Sequence, residues 1–327
     1  MPKAEISWVV ERRASEILRD NPILDRLIEV DTRALRRGLM SGETLRAPRQ
    51  QLRRLRASAF DLAIDFQGLL KSASIARLSG ARRVLGFSRA ALREPASRVL
   101  LSKSIPVSSK THVIRKNLSL LKGSLGIPIP EDAKDFAFPI FTSIEHKREA
   151  AEAIGDMTGR YVLLNPAGGW PTKLWSVERF GELSDHLWSH FRLHSLITVG
   201  PGEQNLAEKV LRSSRSGKVQ IVTPSLKGFY EIAKGAQLYV GGDTGPTHLA
   251  IAAGTPIVGL FGPTEWWRNG SPRLEDICVE RTDIGCRTDC HRRACSNWIC
   301  MDIEVDRVFQ AAARRLQLAG EVVPAGT

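Results

Sequence analysis

The sequence predicts an α/β fold with two domains, each built around a parallel β-sheet. Short apolar and β-branched runs alternate with helical stretches along the chain, which is the pattern of strand–helix–strand units. At 327 residues the chain is long for one hydrophobic core and sufficient for two. We place the boundary after residue 142, which gives domains of residues 1–142 and 143–327.

Each predicted domain contains strands separated by helices. Strands are predicted at residues 5–10, 27–30, 62–66, 84–87 and 136–139, and then at 161–165, 195–199, 219–222, 238–242 and 257–261. Helices are predicted at residues 33–56, 69–78, 113–125, 177–191, 204–213, 229–233 and 306–318. The last helix carries Val308, Ala312 and Leu316 on one face. We expect it to pack back across the hinge between the domains.

The stretch from Gly241 to Ala250 follows a predicted buried strand and opens a short helix. Its turn carries Asp243, Thr244 and Gly245, and the proline that follows suits the first turn of a helix. The N–H groups and the macrodipole at such a helix start bind phosphate, and open parallel sheets bind nucleotides there. The stretch therefore predicts a phosphate site. The alternative is a plain turn in which Asp243 caps the helix.

A second loop of the same kind follows the strand at residues 161–165. It contains Gly168 and Gly169 and ends at Ser176, which is a suitable N-cap for the next helix. Lys173 lies just before that cap, where an ammonium group can reach a phosphate above the strand ends. We expect Lys173→Ala to weaken donor binding or turnover with little effect on folding. The alternative is a solvated loop lysine.

The first of these loops and two N-terminal segments resemble those of a known family. The run Gly242-Asp243-Thr244-Gly245-Pro246-Thr247-His248, followed by Phe261-Gly262-Pro263-Thr264, resembles the signature of the ADP-heptose glycosyltransferases of the lipopolysaccharide pathway, glycosyltransferase family 9. Asp65-Phe66-Gln67-Gly68-Leu69-Leu70-Lys71-Ser72 is similar to the D-x-Q-G-L-x-K-S segment of the members that add the first heptose. Arg93-Glu94-Pro95 resembles their R-E-P stretch.

The resemblance implies a fold and a reaction. The fold is of the GT-B type, in which two Rossmann-like, doubly wound domains face each other across a cleft. The donor nucleotide binds to the C-terminal domain and the acceptor to the N-terminal one. The reaction is the inverting transfer of heptose from ADP-L-glycero-D-manno-heptose to a Kdo sugar of the lipid A core precursor. It is expected to need no cofactor and no divalent metal.

The resemblance also implies roles for individual residues. The donor-binding candidates are Gly168, Gly169, Lys173, Asp243, Thr244, Gly245 and His248 around the pyrophosphate or sugar, and Glu203 at the adenosine ribose. The acceptor-binding candidates are Asp65, Gln67, Lys71 and Arg93. Besides Asp243 and Lys173, two more of these have ordinary alternatives, because Glu203 also suits the first turn of a helix and Asp65 also suits a helix cap.

No catalytic residue is assigned. Chains of the resembling family open with a strand, a Gly-Asp loop and a helix upstream of a W-V-V-E stretch, and the Asp of that loop is their proposed base. This sequence reaches Trp8-Val9-Val10-Glu11 directly, and its first Gly-Asp dipeptide is Gly242-Asp243. We therefore expect the first strand and helix of the N-terminal domain, and the base with them, to be absent. Either the natural protein begins upstream or this copy is degenerate.

Two rival functions stay open on the sequence alone. One is a glycosyltransferase of the same family with a different acceptor. The other is a non-catalytic protein that binds a nucleotide or a lipid A precursor, and the expected absence of the base makes it credible. Detectable transfer by the pure chain would separate the enzyme from the binder.

Charge is unevenly distributed along the chain. Residues 1–142 contain 26 Lys and Arg against 14 Asp and Glu, whereas residues 143–327 contain 21 of each. One-sided positive charge favours an anionic partner such as the inner-membrane surface. Nucleic acid is not expected, because the basic half lacks the recognised binding motifs and has only Trp8 and no Tyr for stacking.

The sequence is not expected to contain a membrane-spanning segment or a signal peptide. No apolar stretch approaches the ~18–20 residues needed to span a bilayer, and no signal peptide is present, so we expect a cytoplasmic protein, peripheral on the inner membrane.

All 5 cysteines fall in residues 278–300. The spacing of Cys286, Cys290, Cys295 and Cys300 differs from paired zinc-ribbon motifs, and disulfides are not expected in a reducing compartment. We interpret the segment as a tightly turned connection, with a thiolate metal site as the alternative.

Overall fold

The structure is a computed structural model, and it describes residues 4–32, 46–157, 160–288 and 290–320. The chain divides into two compact units, the first ending at Asp135 and the second beginning at Phe136. A short N-terminal segment, Glu16–Asn21, belongs to the second unit. The division after residue 142 that the sequence suggested stays a prediction.

The N-terminal unit contains two small parallel sheets. Strands β1 (Ser7–Glu11) and β2 (Arg26–Val30) form one. Strands β3 (Leu62–Asp65), β4 (Arg83–Phe87) and β5 (Lys103–Ile105) form the other. The helices are α1 (Arg46–Ala57), α2 (Leu70–Leu78) and α3 (Val113–Leu125).

The core of the N-terminal unit packs around the three-stranded sheet. Val84 and Phe87 of β4 pack with Leu101 and with Leu120 of α3, and all four are buried. The helix predicted at residues 33–56 is seen from Arg46 onward. Its earlier part, residues 33–45, lies outside the described residues.

The C-terminal unit is built on a six-stranded parallel sheet. Its strands are β6 (Tyr161–Asn165), β7 (His194–Thr198), β8 (Val219–Val222), β9 (Leu238–Gly242), β10 (Ile257–Phe261) and β11 (Ile277–Glu280). The sheet order is β11-β10-β9-β6-β7-β8. The helices are α4 (Ile144–Ile154), α5 (Val177–Phe191), α6 (Gln204–Ser213), α7 (Leu226–Lys234), α8 (Gly245–Ala253), α9 (Trp266–Asn269) and α10 (Val305–Leu318).

Helices cover both faces of this sheet. Side chains alternate between the faces of a strand, and β6 shows it: Val162 and Leu164 join a core with α5, α6 and α10. Tyr161 and Leu163 join a second core with α4, α7 and α8. A strand buried on both sides reads as a continuous apolar run, which is why the sequence predicted this sheet well.

The strand order reverses between β6 and β9. From β6 the chain moves outward to β7 and β8, then returns to place β9 on the other side of β6 and continues to β10 and β11. Ligands of open parallel sheets bind at such a switch point, outside the carboxyl ends of the strands. The candidate site is therefore expected where β6 and β9 end.

Some expectations about elements differ from the structure. Residues 136–139 form no strand; this segment is a connection, and Pro139 accepts a hydrogen bond from Asn21 Nδ2 at 3.3 Å. The sequence missed β5, β11, α4 and α9. The last helix, α10, packs through Val308 and Leu316 into the core of the C-terminal sheet, and its expected packing across the hinge stays a prediction. Among the described residues, no helix has the length and apolarity that crossing a membrane requires.

Candidate functional site

A buried ion pair lies at the switch point of the C-terminal sheet. Lys173 follows β6 in a short helical turn, Pro171–Lys173, and Asp243 follows β9. The Lys173 Nζ atom lies 2.6 Å from Asp243 Oδ2 and 2.9 Å from the Asp243 carbonyl oxygen. Only 7% of the lysine side chain and 8% of the aspartate side chain are exposed. The two loops that the sequence singled out therefore meet through these two residues.

The burial of Lys173 corrects one sequence-based expectation. We expected the lysine to stand in a phosphate-binding loop outside any apolar face, where its removal would leave folding intact. The structure instead buries it under the indole ring of Trp170, whose centroid lies 3.9 Å from Nζ. Removing one partner of a buried pair leaves the other charge uncompensated, which is strongly destabilising. Lys173 is therefore a structural residue as well as a candidate ligand.

Asp243 is surrounded by polar groups. Asn269 Nδ2 lies 3.4 Å from Oδ2, and His248 Nε2 lies 3.6 Å from Oδ1, which is long for a hydrogen bond. Burial opposes the ionisation of Asp243, but His248 and the charge of Lys173 outweigh it and hold the pKa of this carboxyl well below its usual range. Asp243 is thus a carboxylate that fixes the lysine ammonium.

The low pKa of Asp243 predicts an acid-sensitive contribution to stability. Because the pKa is lower in the folded state, the contribution is complete above the unfolded value of about 3.9 and disappears as the pH falls further. Urea titrations between pH 6 and pH 2 are expected to show a steeper loss of unfolding free energy for the wild type than for Asp243→Asn. Parallel curves would contradict this assignment.

A hydroxyl network holds the start of α8. Thr247 Oγ1 donates to the Gly242 carbonyl oxygen. Because a hydroxyl has one proton to give, the hydroxyls of Tyr239, at 3.0 Å, and Thr244, at 3.2 Å, then donate to Thr247 Oγ1. Thr244 makes no side-chain cap to the helix. The network thus fixes the strand-to-helix turn, and the first N–H groups of a helix have no partner within the helix.

The glycines of the two loops differ in their surroundings. A Cβ atom on Gly245 or on Gly169 would meet nothing within 4 Å. A Cβ atom on Gly168 would lie 2.9 Å from Leu174 Cδ2. Gly168 is therefore a packing glycine, whereas Gly245 and Gly169 face open space beside the ion pair.

Sequence reasoning missed two polar residues of this site. Asn165 is 1% exposed, and its amide nitrogen donates to the Thr198 carbonyl oxygen at 2.7 Å, which ties the ends of β6 and β7. Among the described residues, its Oδ1 atom has no hydrogen-bond partner. Asn269, on α9, is the other. The sequence signal available for Asn165 was its position as a polar residue at the end of an otherwise apolar strand. No sequence signal pointed to Asn269.

Glu203 supports its own turn. It stands at the N-terminal end of α6, and its Oε2 atom accepts the N–H of Gly200 at 2.9 Å. This contact gives Glu203 a structural role at the helix start. That role is close to the alternative from the sequence, which was an acidic residue in the first turn of a helix. Contact with a ribose stays a prediction.

A third loop, after β10, is held by a buried arginine. Arg287 Nε donates to the Gly262 carbonyl oxygen at 3.1 Å. The same guanidinium pairs with Glu265 at 3.3 Å and Glu280 at 2.8 Å. The Phe261-Gly262-Pro263-Thr264 run of the sequence is therefore anchored from the segment that follows β11.

The acceptor-side candidates lie in the N-terminal unit. Asp65 ends β3 and is 4% exposed, and its Oδ1 atom accepts the N–H groups of Gln67 at 3.0 Å and Gly68 at 3.3 Å. Burial raises the pKa of Asp65. This carboxyl shapes the turn before α2, whose N-cap is Leu69, so Asp65 is not itself the cap that the sequence gave as the alternative. The Gln67 side chain is exposed.

Lys71 joins the two small sheets of the N-terminal unit. Its Nζ atom lies 2.6 Å from Glu11 Oε1 at the end of β1 and 3.1 Å from Thr32 Oγ1. Although burial opposes it, hydrogen bonds from Lys71 and Thr32 lower the pKa of Glu11. Lys71 is therefore paired within the chain, a contact that the sequence did not predict.

The Arg93 loop packs against the turn after β3. Gly68 has a φ of +65°, and a Cβ atom there would lie 3.3 Å from the Arg93 backbone nitrogen. The Gly68 carbonyl oxygen accepts the N–H of Glu94 at 3.0 Å, and Glu94 Oε2 accepts the N–H of Leu70 at 2.6 Å. The structure thus brings the Asp65–Lys71 and Arg93 segments together. Arg93 itself is exposed.

The C-terminal arrangement defines a class of protein. A doubly wound sheet, an open helix start at its switch point and a fixed lysine beside that start are typical of α/β proteins that bind the diphosphate of a nucleotide. The model of glycosyltransferase family 9 (heptosyltransferase) matches residues 49–297. The chain belongs to this family and is therefore a glycosyltransferase.

Relatives and solved structures agree with this assignment. The chain is 30% identical to lipopolysaccharide heptosyltransferase 1 of Pseudomonas aeruginosa over 81% of this chain and 72% of that protein. It is 27% identical to the Escherichia coli K12 protein of the same name over 81% and 80%. A structure titled E. coli heptosyltransferase WaaC with ADP superposes with a TM-score of 0.75 at 22% identity, covering 96% of this chain and 91% of that one. Another, titled E. coli ADP-heptose lps heptosyltransferase II, superposes with a TM-score of 0.73 at 16% identity over 98% and 92%. The two-domain, GT-B type fold predicted from the sequence is thereby confirmed.

Proposed function

We propose that this chain transfers heptose from ADP-L-glycero-D-manno-heptose to a Kdo sugar of the lipid A core precursor, with inversion, in lipopolysaccharide biosynthesis. The observation that carries the proposal is the Lys173–Asp243 pair beside the open start of α8. Family membership and the relatives named lipopolysaccharide heptosyltransferase 1 support heptose as the transferred sugar.

The donor diphosphate binds between Lys173 and the first turn of α8 in this proposal. Asp243 oxygens take two of the three ammonium protons of Lys173, which leaves one for a phosphate oxygen. The N–H groups at Thr244 and Gly245 face the same oxygens. As the bond to the sugar breaks, negative charge grows on the ADP leaving group. Fixed donors in a site of low dielectric stabilise such charge without reorganising.

The remaining donor contacts are proposed from the positions of residues near Asp243 and at the start of α6. His248 and Asn269 stand beside Asp243 and are proposed to reach the pyrophosphate or the sugar. Glu203 is proposed to bind the adenosine ribose. Gly169 lies next to open space and leaves room for the donor.

The acceptor is proposed to contact the N-terminal unit through Gln67 and Arg93, which are exposed, with Asp65 and Lys71 holding their loops in place. An anionic lipid acceptor fits the excess of Lys and Arg in the first 142 residues. The same excess supports peripheral contact with the cytoplasmic face of the inner membrane.

The acceptor assignment is tested by a direct comparison. The pure chain is incubated with ADP-heptose and one of two acceptors. The first acceptor is Kdo-lipid A, and the second is the same molecule already carrying one heptose. The masses of the products are measured by mass spectrometry. We expect a gain of one heptose on the first acceptor only, with Asp243→Asn as the inactive control. Transfer to the second acceptor only would favour another member of the family, and transfer to neither would favour a non-catalytic binder.

Turnover is expected to need no Mg²⁺. Lys173 and the helix N–H groups already face the diphosphate, and the two loops contain no Asp-x-Asp pair of the kind that holds Mg²⁺ through carboxylates. Initial rates measured with substrates freed of divalent ions on a chelating resin should equal those after Mg²⁺ or Mn²⁺ is added back. A rate seen only after the addition would contradict this.

A further inference from the structure

A cavity opens at the amino-terminal edge of the C-terminal sheet, at the opposite ends of the strands from the candidate donor site. Its volume is about 300 Å³, and it is lined by Asp156, Met157, Arg160, Trp188, Arg192 and His194. Strands β6 and β7 have five residues each, and a strand rises about 3.3 Å per residue, so roughly 15 Å separate the two edges. This amino-edge cavity is therefore distinct from the candidate donor site.

The pairing of three strands brings basic side chains together at this edge. Arg160 precedes β6, His194 begins β7 and Lys218 precedes β8. The N–H of His194 donates to the Arg160 carbonyl oxygen at 2.9 Å, and the N–H of Ser195 donates to the Lys218 carbonyl oxygen at 3.0 Å. Burial lowers the pKa of His194, and the charges of Lys218 and Arg160 lower it further. Positive charge therefore accumulates where these strands begin.

The indole ring of Trp188, on α5, holds two cations beside the cavity. Lys218 Nζ lies 4.9 Å from the ring centroid, and the guanidinium carbon of Arg192 lies 5.5 Å from it. The His194 ring meets the indole edge-on, with the centroids 5.0 Å apart. Arg192 ends α5 with a φ of 58°, a position where glycine or asparagine is usual. The chain thus keeps an arginine at the cavity in a backbone conformation that favours other residues.

The cations at the amino-edge cavity are not neutralised by the protein. Within the described part of the chain, Arg160, Arg192 and Lys218 form no ion pair with a carboxylate, and Asp156, which also lines the cavity, pairs with none of them. Residues 143–327 contain 21 Lys and Arg and 21 Asp and Glu, so the surplus of positive charge is local. A concave surface lined by one sign of charge concentrates ligands of the opposite sign.

We propose that the amino-edge cavity binds a phosphate group, carried by a free phosphate compound or by a lipid headgroup. Arg160 and Arg192 contact it through guanidinium N–H groups, whose planar arrangement matches phosphate oxygens. Lys218 adds a third positive charge beside the cavity. Trp188 and His194 hold these cations in place and form the wall. The site does not depend on the proposed heptose transfer.

The indole N–H signal of Trp188 reports directly on this cavity. Sodium phosphate is added to the full chain, labelled with ¹⁵N, while two-dimensional NMR spectra are recorded. Trp188→Phe identifies the signal among those of the 7 tryptophans. We expect a saturable shift of the Trp188 signal that sodium chloride at the same ionic strength does not produce. The proposal is wrong if phosphate leaves the signal in place or moves it no more than chloride does.

Charge-removing variants identify the groups that hold the phosphate. Arg160→Gln with Arg192→Gln changes two exposed side chains and should weaken phosphate binding roughly 10-fold or more, because charge-assisted hydrogen bonds are the strong ones. Asp156→Asn should tighten it, because a repelling carboxylate is removed. Arg307→Gln with Arg314→Gln is the matched control: it removes the same charge from exposed positions of α10 and should keep the wild-type affinity. Equal affinities in the wild type and the cavity variant would overturn the proposal.

Flotation with vesicles distinguishes the two sources of phosphate. The full chain is mixed with phosphatidylcholine vesicles, with or without phosphatidic acid, whose headgroup is a phosphate monoester. Flotation that requires phosphatidic acid, is lost in the cavity variant and is kept in the α10 control would assign the site to a lipid headgroup. No flotation, or equal flotation of both variants, would assign the saturable NMR shift to a free phosphate compound. None of these readouts requires ADP binding or heptose transfer.

Discussion

Lys173→Met is expected to lower the free energy of unfolding by about 3–5 kcal/mol, because the buried carboxylate of Asp243 loses its partner. The same variant should lose ADP binding, since the positive group at the proposed diphosphate site is gone. Urea titration measures the first effect and calorimetry with ADP the second. Asp243→Asn should also lower the free energy of unfolding and abolish ADP binding, because it leaves the buried Lys173 ammonium without its partner.

The double variant distinguishes the structural from the functional role of the pair. Replacing both charges with neutral side chains of similar volume is often nearly neutral for stability. Lys173→Met with Asp243→Asn should therefore recover most of the lost stability but none of the ADP affinity. If either single variant unfolds like the wild type, the ion pair does not support the fold. If the double variant binds ADP normally, the pair is not at the donor site.

Gly245→Leu is expected to weaken ADP binding without changing stability. A side chain here enters open space, and Gly245 is not among the residues with positive φ, so leucine fits the backbone. In the proposed function, the diphosphate meets the start of α8 in that space. Calorimetry should show a loss of roughly 10- to 100-fold, because one hydrogen bond to a charged group is worth about 1.5–3 kcal/mol.

Gly285→Leu is the matched control for that change. Gly285 also begins a helical turn and faces open space, but it lies outside the proposed donor site. It should keep the ADP affinity and melting temperature of the wild type. Equal ADP affinities for Gly245→Leu and the wild type would place the diphosphate away from this helix.

The sequence predicted most of the C-terminal sheet because its strands are buried on both faces. The buried runs at β6, β9 and β10 and the turns that follow them are local signals. Two edge strands, β5 of the N-terminal unit and β11 of this sheet, were missed because the same signal is weak in them. β5 has three residues, and β11 mixes polar and apolar positions, so neither produces a clear period.

The contacts within the site could not be read from local pattern. Lys173 and Asp243 are 70 positions apart, and they meet only because β9 returns to pair with β6. The link from Lys71 to Glu11 spans 60 positions and depends on tertiary packing in the same way. The sequence therefore identified residues of the site, whereas their pairing and burial came from the fold.

Hydrogen exchange measured by mass spectrometry, with and without ADP, tests the central claim most directly. That claim places the donor diphosphate between the loop after β6 and the start of α8. ADP is predicted to slow deuterium uptake in peptides covering residues 168–174 and 241–248, while peptides of the N-terminal unit stay unchanged. Unchanged uptake in both peptides at saturating ADP, or protection confined to residues before 136, would contradict the claim.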